Sequence, residues 1–291
     1  MYSIICCSVN PDEVASLKSN VADTIGMPFE FIAFDNRESH YGLCKVYNIC
    51  AEKAKYDFLC FVHEDVRFLT KDWGKLMAEQ LRQEGCGVIG FAGSILKLKR
   101  LTGWNTCGKD LRANYVQYMR GGAHPRCVNP EKRSFSPVVT LDGLCLLARR
   151  SVWKEMRFDE VTFPGFHCYD IDFSLAVACH YTNYVCHTVL VEHYSQGSFS
   201  RSWLQGLEAL HEKWQNCLPI AAKPLTDREM ERYDRLGEGY FIKFLWQKGC
   251  FDVCGFHDAL RYFYRYPFTF TAWMLFPKYL KYRLRYRHKF P

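Results

Sequence analysis

The sequence predicts an α/β protein with a mostly parallel, Rossmann-like central sheet and flanking helices. Three observations carry this: short apolar runs alternate with amphipathic stretches, polar clusters follow each run, and no internal repeat interrupts the order. Residues 2–9 (YSIICCSV) read as a first strand. Asn10-Pro11-Asp12-Glu13 then gives a turn and an acidic helix start, predicting a helix over 12–24. Gly26-Met27-Pro28 ends it, Phe29 to Phe34 forms a second strand, and residues 43–54 show helical spacing. Phe58-Leu59-Cys60-Phe61-Val62 has the composition of a strand buried on both faces. This β-α-β-α-β start places the ends of its strands on one edge of the sheet.

Further along, a helix is expected over 73–83, a glycine-bearing strand over 87–92, and a strand within 137–150. Residues 97–136 are polar and weakly patterned and read as a long loop, of the kind that carries function. A helix over 171–181 precedes a last strand that ends at His193. Trp203, Leu204, Leu207, Leu210 and Trp214 recur at helical spacing, which reads as packing.

Composition is that of a globular protein, with 48% hydrophobic and 24% charged residues in 291. The fifteen cysteines are an odd number, and several sit inside apolar strands (Cys6, Cys7, Cys60, Cys145), as small hydrophobes in a reducing compartment do. The first residues enter a strand directly, without the pattern of a secretion signal. No apolar stretch reaches the roughly 18 residues that a membrane span needs. The expected location is cytoplasmic or peripheral on the inner face of the cytoplasmic membrane.

Chemistry concentrates at strand ends. His63-Glu64-Asp65 closes the buried run 58–62, Asp35 follows the second strand, and His193 ends the last; Asp170 and Asp172 precede a helix. Carboxylates and histidines at a shared sheet edge can converge on one divalent ion, Mg²⁺ or Mn²⁺, that also holds a phosphate. Each piece also has a plainer reading: a solvated loop for Glu64-Asp65, a rim histidine for His193, and helix-start carboxylates for Asp170 and Asp172.

Taken in order, these residues resemble the inverting family 2 glycosyltransferases of the GT-A fold over residues 2–198. His63-Glu64-Asp65 falls at the family's DxD motif, and the HED variant marks a divergent, bacterial-type subgroup. The resemblance implies Asp65 and His193 as metal ligands. It implies Ser8, Asp35, Asn36, Lys45, Asn48, His63 and Glu64 around the nucleotide. Asp142, Gly143 and Asp172 would contact the acceptor, and Asp170, in Tyr169-Asp170-Ile171-Asp172, would be the general base. The implied activity is transfer of a sugar, with inversion, from a nucleotide-sugar donor (UDP-linked) to a glycan or lipid-linked glycan acceptor. The replaced first acid of DxD keeps a nucleotide-sugar-binding protein without turnover in view. A sugar nucleotidyltransferase on a similar sheet is disfavoured by the lack of a glycine-rich, arginine-bearing loop after the first strand.

Two domains are expected: 1–219 as the transferase domain and 220–291 as a helical, aromatic and basic extension. Residues 261–291 carry eight Lys and Arg and no acid, so the formal +7 of the whole leaves −1 for the first 260 residues. Basic residues among interfacial aromatics suit peripheral contact with an anionic membrane. A packing arm and a nucleic-acid patch are the rival readings, and no nucleic-acid partner is expected. Pro267 and Pro277 are expected to split this segment into short helices.

Overall fold

A computed structural model describes residues 1–119, 121–195 and 200–286. Gln196 to Ser198 and the last two cations of the tail, Arg287 and Lys289, lie outside the described residues. The chain begins β1 (Tyr2–Ser8), α1 (Pro11–Thr24), β2 (Phe29–Asp35), α2 (Leu43–Lys53) and β3 (Phe58–Val62), as the sequence pattern predicts. Asn10 caps α1 by accepting from the Asp12 amide at 3.1 Å, and Pro11 fills the first turn, where its missing N–H costs nothing. There follow β4 (Val66–Phe68), α3 (Trp73–Leu81), β5 (Cys86–Gly90), β6 (Ala92–Ser94) and β7 (Leu96–Lys97).

The segment expected to be a loop holds an antiparallel hairpin, β8 (Leu111–Met119) and β9 (Gly122–Val128), followed by β10 (Phe135–Val138). The turn glycines Gly121 and Gly122 have positive φ, and Pro125 sits on β9, which pairs only with β8. These punctuating residues mask the strands in the sequence. The run 137–150 is likewise broken. β11 (Thr140–Leu141) and β12 (Cys145–Arg149) flank a turn at Asp142-Gly143-Leu144. The chain continues through α4 (Arg150–Met156), α5 (Tyr169–Ala178), β13 (Thr182–Cys186), β14 (Val191–His193), α6 (Arg201–Trp214) and β15 (Ile220–Ala221). It ends in α7 (Asp227–Lys248), α8 (Phe256–Arg265) and α9 (Phe270–Arg285). Pro267 separates α8 from α9, but Pro277 lies inside α9 and does not split it. The carbonyl that Pro277 leaves without a helical donor belongs to Trp273, an exposed residue that water can reach.

The central sheet has seven strands in the order β10-β13-β5-β12-β3-β1-β2. It is mixed rather than mostly parallel. β1 runs parallel to β2 and β3, and β13 parallel to β5, whereas β12 enters from the Asp142–Leu144 turn and runs antiparallel to both its neighbours. Leu59 and Phe61 face a layer holding Tyr47, Trp153 and Phe173. Cys60 and Val62 face the opposite layer with Trp73 and Met77. Both faces are therefore dry, and each fully buried aliphatic or phenyl side chain contributes about 1.5–3 kcal/mol. All fifteen cysteines are free thiols, most of them buried.

A second sheet, β11-β6-β8-β14-β4 with β9 beyond β8, stands over the strand ends. Its pairing of β4 with β14 sets His193 opposite Val66, one residue past Asp65. A separate apolar cluster, with Trp246, Tyr262 and Leu275 at its centre, binds α7, α8 and α9 together. β15 pairs with β7, tying the chain before α7 to the sheet-bearing body.

Candidate functional site

Three donors meet at the C-terminal edge of β3. The ligand atoms of His63, Asp65 and His193 all lie within 4.8 Å of one another. His193 Nε2 and Asp65 Oδ1 face each other at 3.6 Å, and both are buried without a hydrogen-bond partner. Two orphaned polar atoms aimed at one point are costly unless a cation lies between them. The backbone fixes this meeting: β4 pairs with β14, the Tyr194 amide donates to the Asp65 carbonyl at 3.1 Å, and the His63 amide donates to Leu144 O at 3.1 Å. Arg67 holds the intervening turn, donating to the carbonyls of Glu64 and Val66 and pairing with Glu13 on α1.

His63 joins the cluster as a third donor, beyond the Asp65–His193 pair expected from sequence. The Tyr169 hydroxyl donates to Gly143 O at 2.9 Å, so it accepts from His63 Nε2 at 2.7 Å. That bond places the imidazole proton on Nε2 and leaves the Nδ1 lone pair for a cation. Burial lowers the His63 pKa to about 4, helped by His193 and opposed by Asp142, so the ring is neutral at pH 7 as a ligand must be. Two imidazoles and one carboxylate fit a divalent ion, and suit Mn²⁺ better than the oxygen-seeking Mg²⁺.

Two cavities meet at His63. The larger, about 430 Å³, is lined by His63, His193, Asp142, Gly143, Tyr169 and Asp170, and is walled by aromatic side chains. The smaller, about 180 Å³, runs past Ser8, Asn36, Tyr41, Glu64 and Asp65. Asp170 stands in the first turn of α5, at the residue after Tyr169, rather than ahead of the helix. Its Oδ2 accepts from the Gly143 amide at 2.9 Å. Burial, then the neighbouring Asp142 carboxylate, raises its pKa to about 7. Gly143 is required here, because a Cβ would lie 2.0 Å from the Tyr169 hydroxyl oxygen and 3.0 Å from Asp170 Cβ.

The remaining expected residues divide. Ser8 and Asn36 line the smaller cavity. Glu64 does too, but its Oε2 is taken by Ser8 Oγ at 2.5 Å and by the amides of Val9 and Asn10 at 3.2 and 3.1 Å. Glu64 therefore clasps the turn after β1 instead of offering a free ligand. Asp35 lies at the exposed end of β2, outside both cavities, with Arg37 bridging its two oxygens and lowering its pKa to about 2. Lys45 rests over the Tyr41 ring at 3.7 Å, likewise outside the cavities.

Two expectations give way. Asn48 is buried, donating to Phe158 O at 2.8 Å and accepting from Trp153 Nε1 at 3.2 Å, so it holds α2 to α4 and the segment after it and lines neither of the two cavities. Asp172 is buried against Lys213 Nζ and Trp214 Nε1, which donates at 2.8 Å, so it anchors α6 and lines neither of the two cavities. Both side chains satisfy buried donors, which is a sufficient reason for their presence.

Sequence reasoning missed Tyr169, whose role depends on a contact 106 residues away. It also missed the cavity walls from α7, namely Tyr240, Phe241 and Phe244. The histidine in place of the first DxD acid was visible in the sequence, and only the fold shows that it touches Tyr169.

Comparison with known proteins bears on the family and the fold. A family model described as "Glycosyltransferase like family" matches residues 3–201. No curated protein matches the chain. Among solved structures, TarS of S. aureus shares 14% identity at a TM-score of 0.50, over 84% of this chain and 43% of that one. TarS 1-349 in complex with UDP-GlcNAc gives 14% identity and a TM-score of 0.48, over 84% and 72%. GalNAc-T7 with UDP, GalNAc and Mn²⁺ gives 12% and 0.47; the chain, covered over 86%, spans 51% of its length. By the match over 3–201, joined to the sheet order and the strand-end cluster, this chain belongs to the glycosyltransferase-like family and has a family 2-like GT-A fold.

Proposed function

We propose that the protein transfers a sugar from a nucleoside-diphosphate-sugar donor, UDP-linked, to a hydroxyl of a glycan or lipid-linked glycan, with inversion at the anomeric carbon. The observation that carries this reading is the His63, Asp65 and His193 cluster at the junction of two cavities, with Asp170 lining the larger. The smaller cavity takes the nucleoside diphosphate and the larger takes the donor sugar and the acceptor. A divalent ion held by the three donors would neutralise charge on the leaving diphosphate.

The chain's own residues supply the rest. Asp170 accepts the proton of the acceptor hydroxyl while its oxygen forms the new bond to the anomeric carbon. The bond from that carbon to the diphosphate oxygen breaks, and its electron pair leaves with the nucleoside diphosphate. A base with a pKa near the working pH is well matched to this task, and Gly143 N–H fixes the carboxylate without silencing it. Aromatic side chains of the larger cavity keep water from competing with the acceptor. A binding protein without turnover would have no need of an ionisable group raised to about 7 at this place.

Asp170→Asn tests the reading. Transfer should fall by about 10²–10⁴-fold while metal-dependent UDP binding persists. Wild-type transfer should rise with pH through about 7 as Asp170 loses its proton. The stability effect has the opposite sign: a raised carboxylate pKa contributes stability at low pH that is lost as pH rises through the folded value. The variant should therefore melt higher than wild type at pH 8. Full transfer by Asp170→Asn would remove the base assignment.

A further inference from the structure

The α8–α9 hairpin carries an exposed apolar surface that the transferase reading does not use. At its tip Phe268 is 99% exposed, Phe270 81% and Tyr264 79%. Along α9, Trp273, Leu280 and Leu284 are 60–66% exposed, and their spacing places all three within about 40° of helical arc. Lys281 and Arg283 flank that stripe at about 80° on either side. The opposite side of α9 is occupied: Ala272, Leu275 and Tyr282 are buried in the cluster with Trp246 and Tyr262. Trp273 packs edge-on against Phe263 with ring centres 4.8 Å apart and donates its Nε1–H to Pro267 O at 2.9 Å, yet most of its surface and that of Leu280 and Leu284 stays exposed.

Charge decides what covers it. In α8, Arg261 pairs with Asp258 at 2.7 Å and Arg265 lies 3.8 Å from Glu238 of α7, whereas α9 carries Lys278, Lys281, Arg283 and Arg285 and no Asp or Glu. A second copy of this chain in a two-fold contact would set these cations against the same cations. A nucleic acid would meet aliphatic Leu280 and Leu284 in place of stacking rings. An anionic phospholipid surface satisfies both features, taking rings and leucines into the acyl boundary and the flanking cations at the phosphates. None of the described helices is long and apolar enough to cross a membrane, so the hairpin would lie on the surface.

We infer that the α8–α9 hairpin docks the protein on an anionic bilayer, with Phe268, Phe270, Trp273, Leu280 and Leu284 inserted at the interface. The same extension sends Tyr240, Phe241 and Phe244 of α7 into the cavity beside Asp170.

The full chain mixed with vesicles of phosphatidylcholine, with and without phosphatidylglycerol, tests this by co-sedimentation and tryptophan emission. Binding and a blue shift should require phosphatidylglycerol and weaken with salt. Phe268→Glu with Phe270→Glu should lower partitioning by about tenfold or more, and Lys281→Glu by about fivefold or more. Both sites are exposed, so unchanged thermal unfolding confirms that the variants fold. Equal binding to neutral vesicles, or none to either, overturns the inference. So does a dimer in light scattering that Phe270→Glu dissolves, or retention of the wild-type chain on single-stranded DNA at a salt concentration where vesicles release it. Vesicle binding is read without turnover, so its failure is separate from failure of the transferase reading.

Discussion

At His63 the imidazole serves two partners, and the physical consequence follows from which nitrogen each takes. Tyr169 holds Nε2–H and Gly143 O orients Tyr169, so the Nδ1 lone pair is offered to the cluster with Asp65 and His193. His63 stands in place of the first acid of the DxD pattern and bonds to Tyr169, the residue before Asp170. Tyr169→Phe should keep the ring packing against Tyr47 and Phe158 while releasing the imidazole. Mn²⁺ affinity, read by electron paramagnetic resonance without any substrate, should drop about 10–100-fold. Tyr169→Phe and His63→Ala should lower it non-additively, since both act through one bond. Additive losses, or an unchanged affinity in Tyr169→Phe, would show that the tyrosine only fills space.

Among the elements, strands that follow a plain alternation with helices were legible, and β1, α1, β2, α2 and β3 match their expected spans closely. Elements defined by partners were not. β8 and β9 are hidden because Gly121, Gly122 and Pro125 signal a turn, and β9 needs no buried side chains of its own on an edge. Likewise Asp65 and His193 were legible as ligand types, whereas the β4–β14 pairing that joins them is a long-range register that no local pattern encodes. Lys97 illustrates the same limit at the segment 98–106. Its ammonium is fully buried, and its three N–H groups are shared among Thr102 O at 2.5 Å, Thr102 Oγ1 at 3.0 Å, Gly103 O at 3.2 Å and His211 Nε2 at 2.9 Å. This fastens the turn that delivers Gly103, Trp104 and Asn105 to the cavity wall. Burial lowers the Lys97 pKa to about 7. A depressed pKa gives stability that is present above the lysine's unfolded value and is lost as pH falls toward the folded one. Wild-type stability should therefore rise between about pH 7 and pH 10. Lys97→Met should abolish that rise, and by stranding two carbonyls should cost about 1–3 kcal/mol. Chemical denaturation across this pH range checks both; a retained slope in Lys97→Met would point to another group.

Across the whole molecule, the donor side of the site and its far wall come from parts of the chain that meet only in the fold. The strand ends of the body hold His63, Asp65 and His193 and the first turn of α5 holds Asp170, whereas Tyr240, Phe241 and Phe244 belong to α7. Two contacts lock these parts: β15 pairs with β7, and Arg100 reaches across from the body to Asp234 of α7 at 2.7 Å, with Glu238 at 3.4 Å. Trp203 of α6 packs on Phe244 with ring centres 5.5 Å apart and on Phe241 at 6.4 Å, so the aromatic wall is continuous across the boundary. On the proposed reading such a wall would stack the C–H faces of a sugar ring, with Asp142 and Asn105 lining the same cavity for its hydroxyls. Division of labour follows from this layout. Phe241→Ala combined with Phe244→Ala should raise the KM for acceptor about tenfold or more, since two large apolar contacts are lost. The same variant should bind UDP and Mn²⁺ as the wild type does and hydrolyse donor at least as fast, because water gains entry once the wall is opened. Calorimetry with UDP, set beside initial rates at varied acceptor, separates the two effects. An equal loss of UDP binding would mean that α7 supports the entire site rather than its acceptor half.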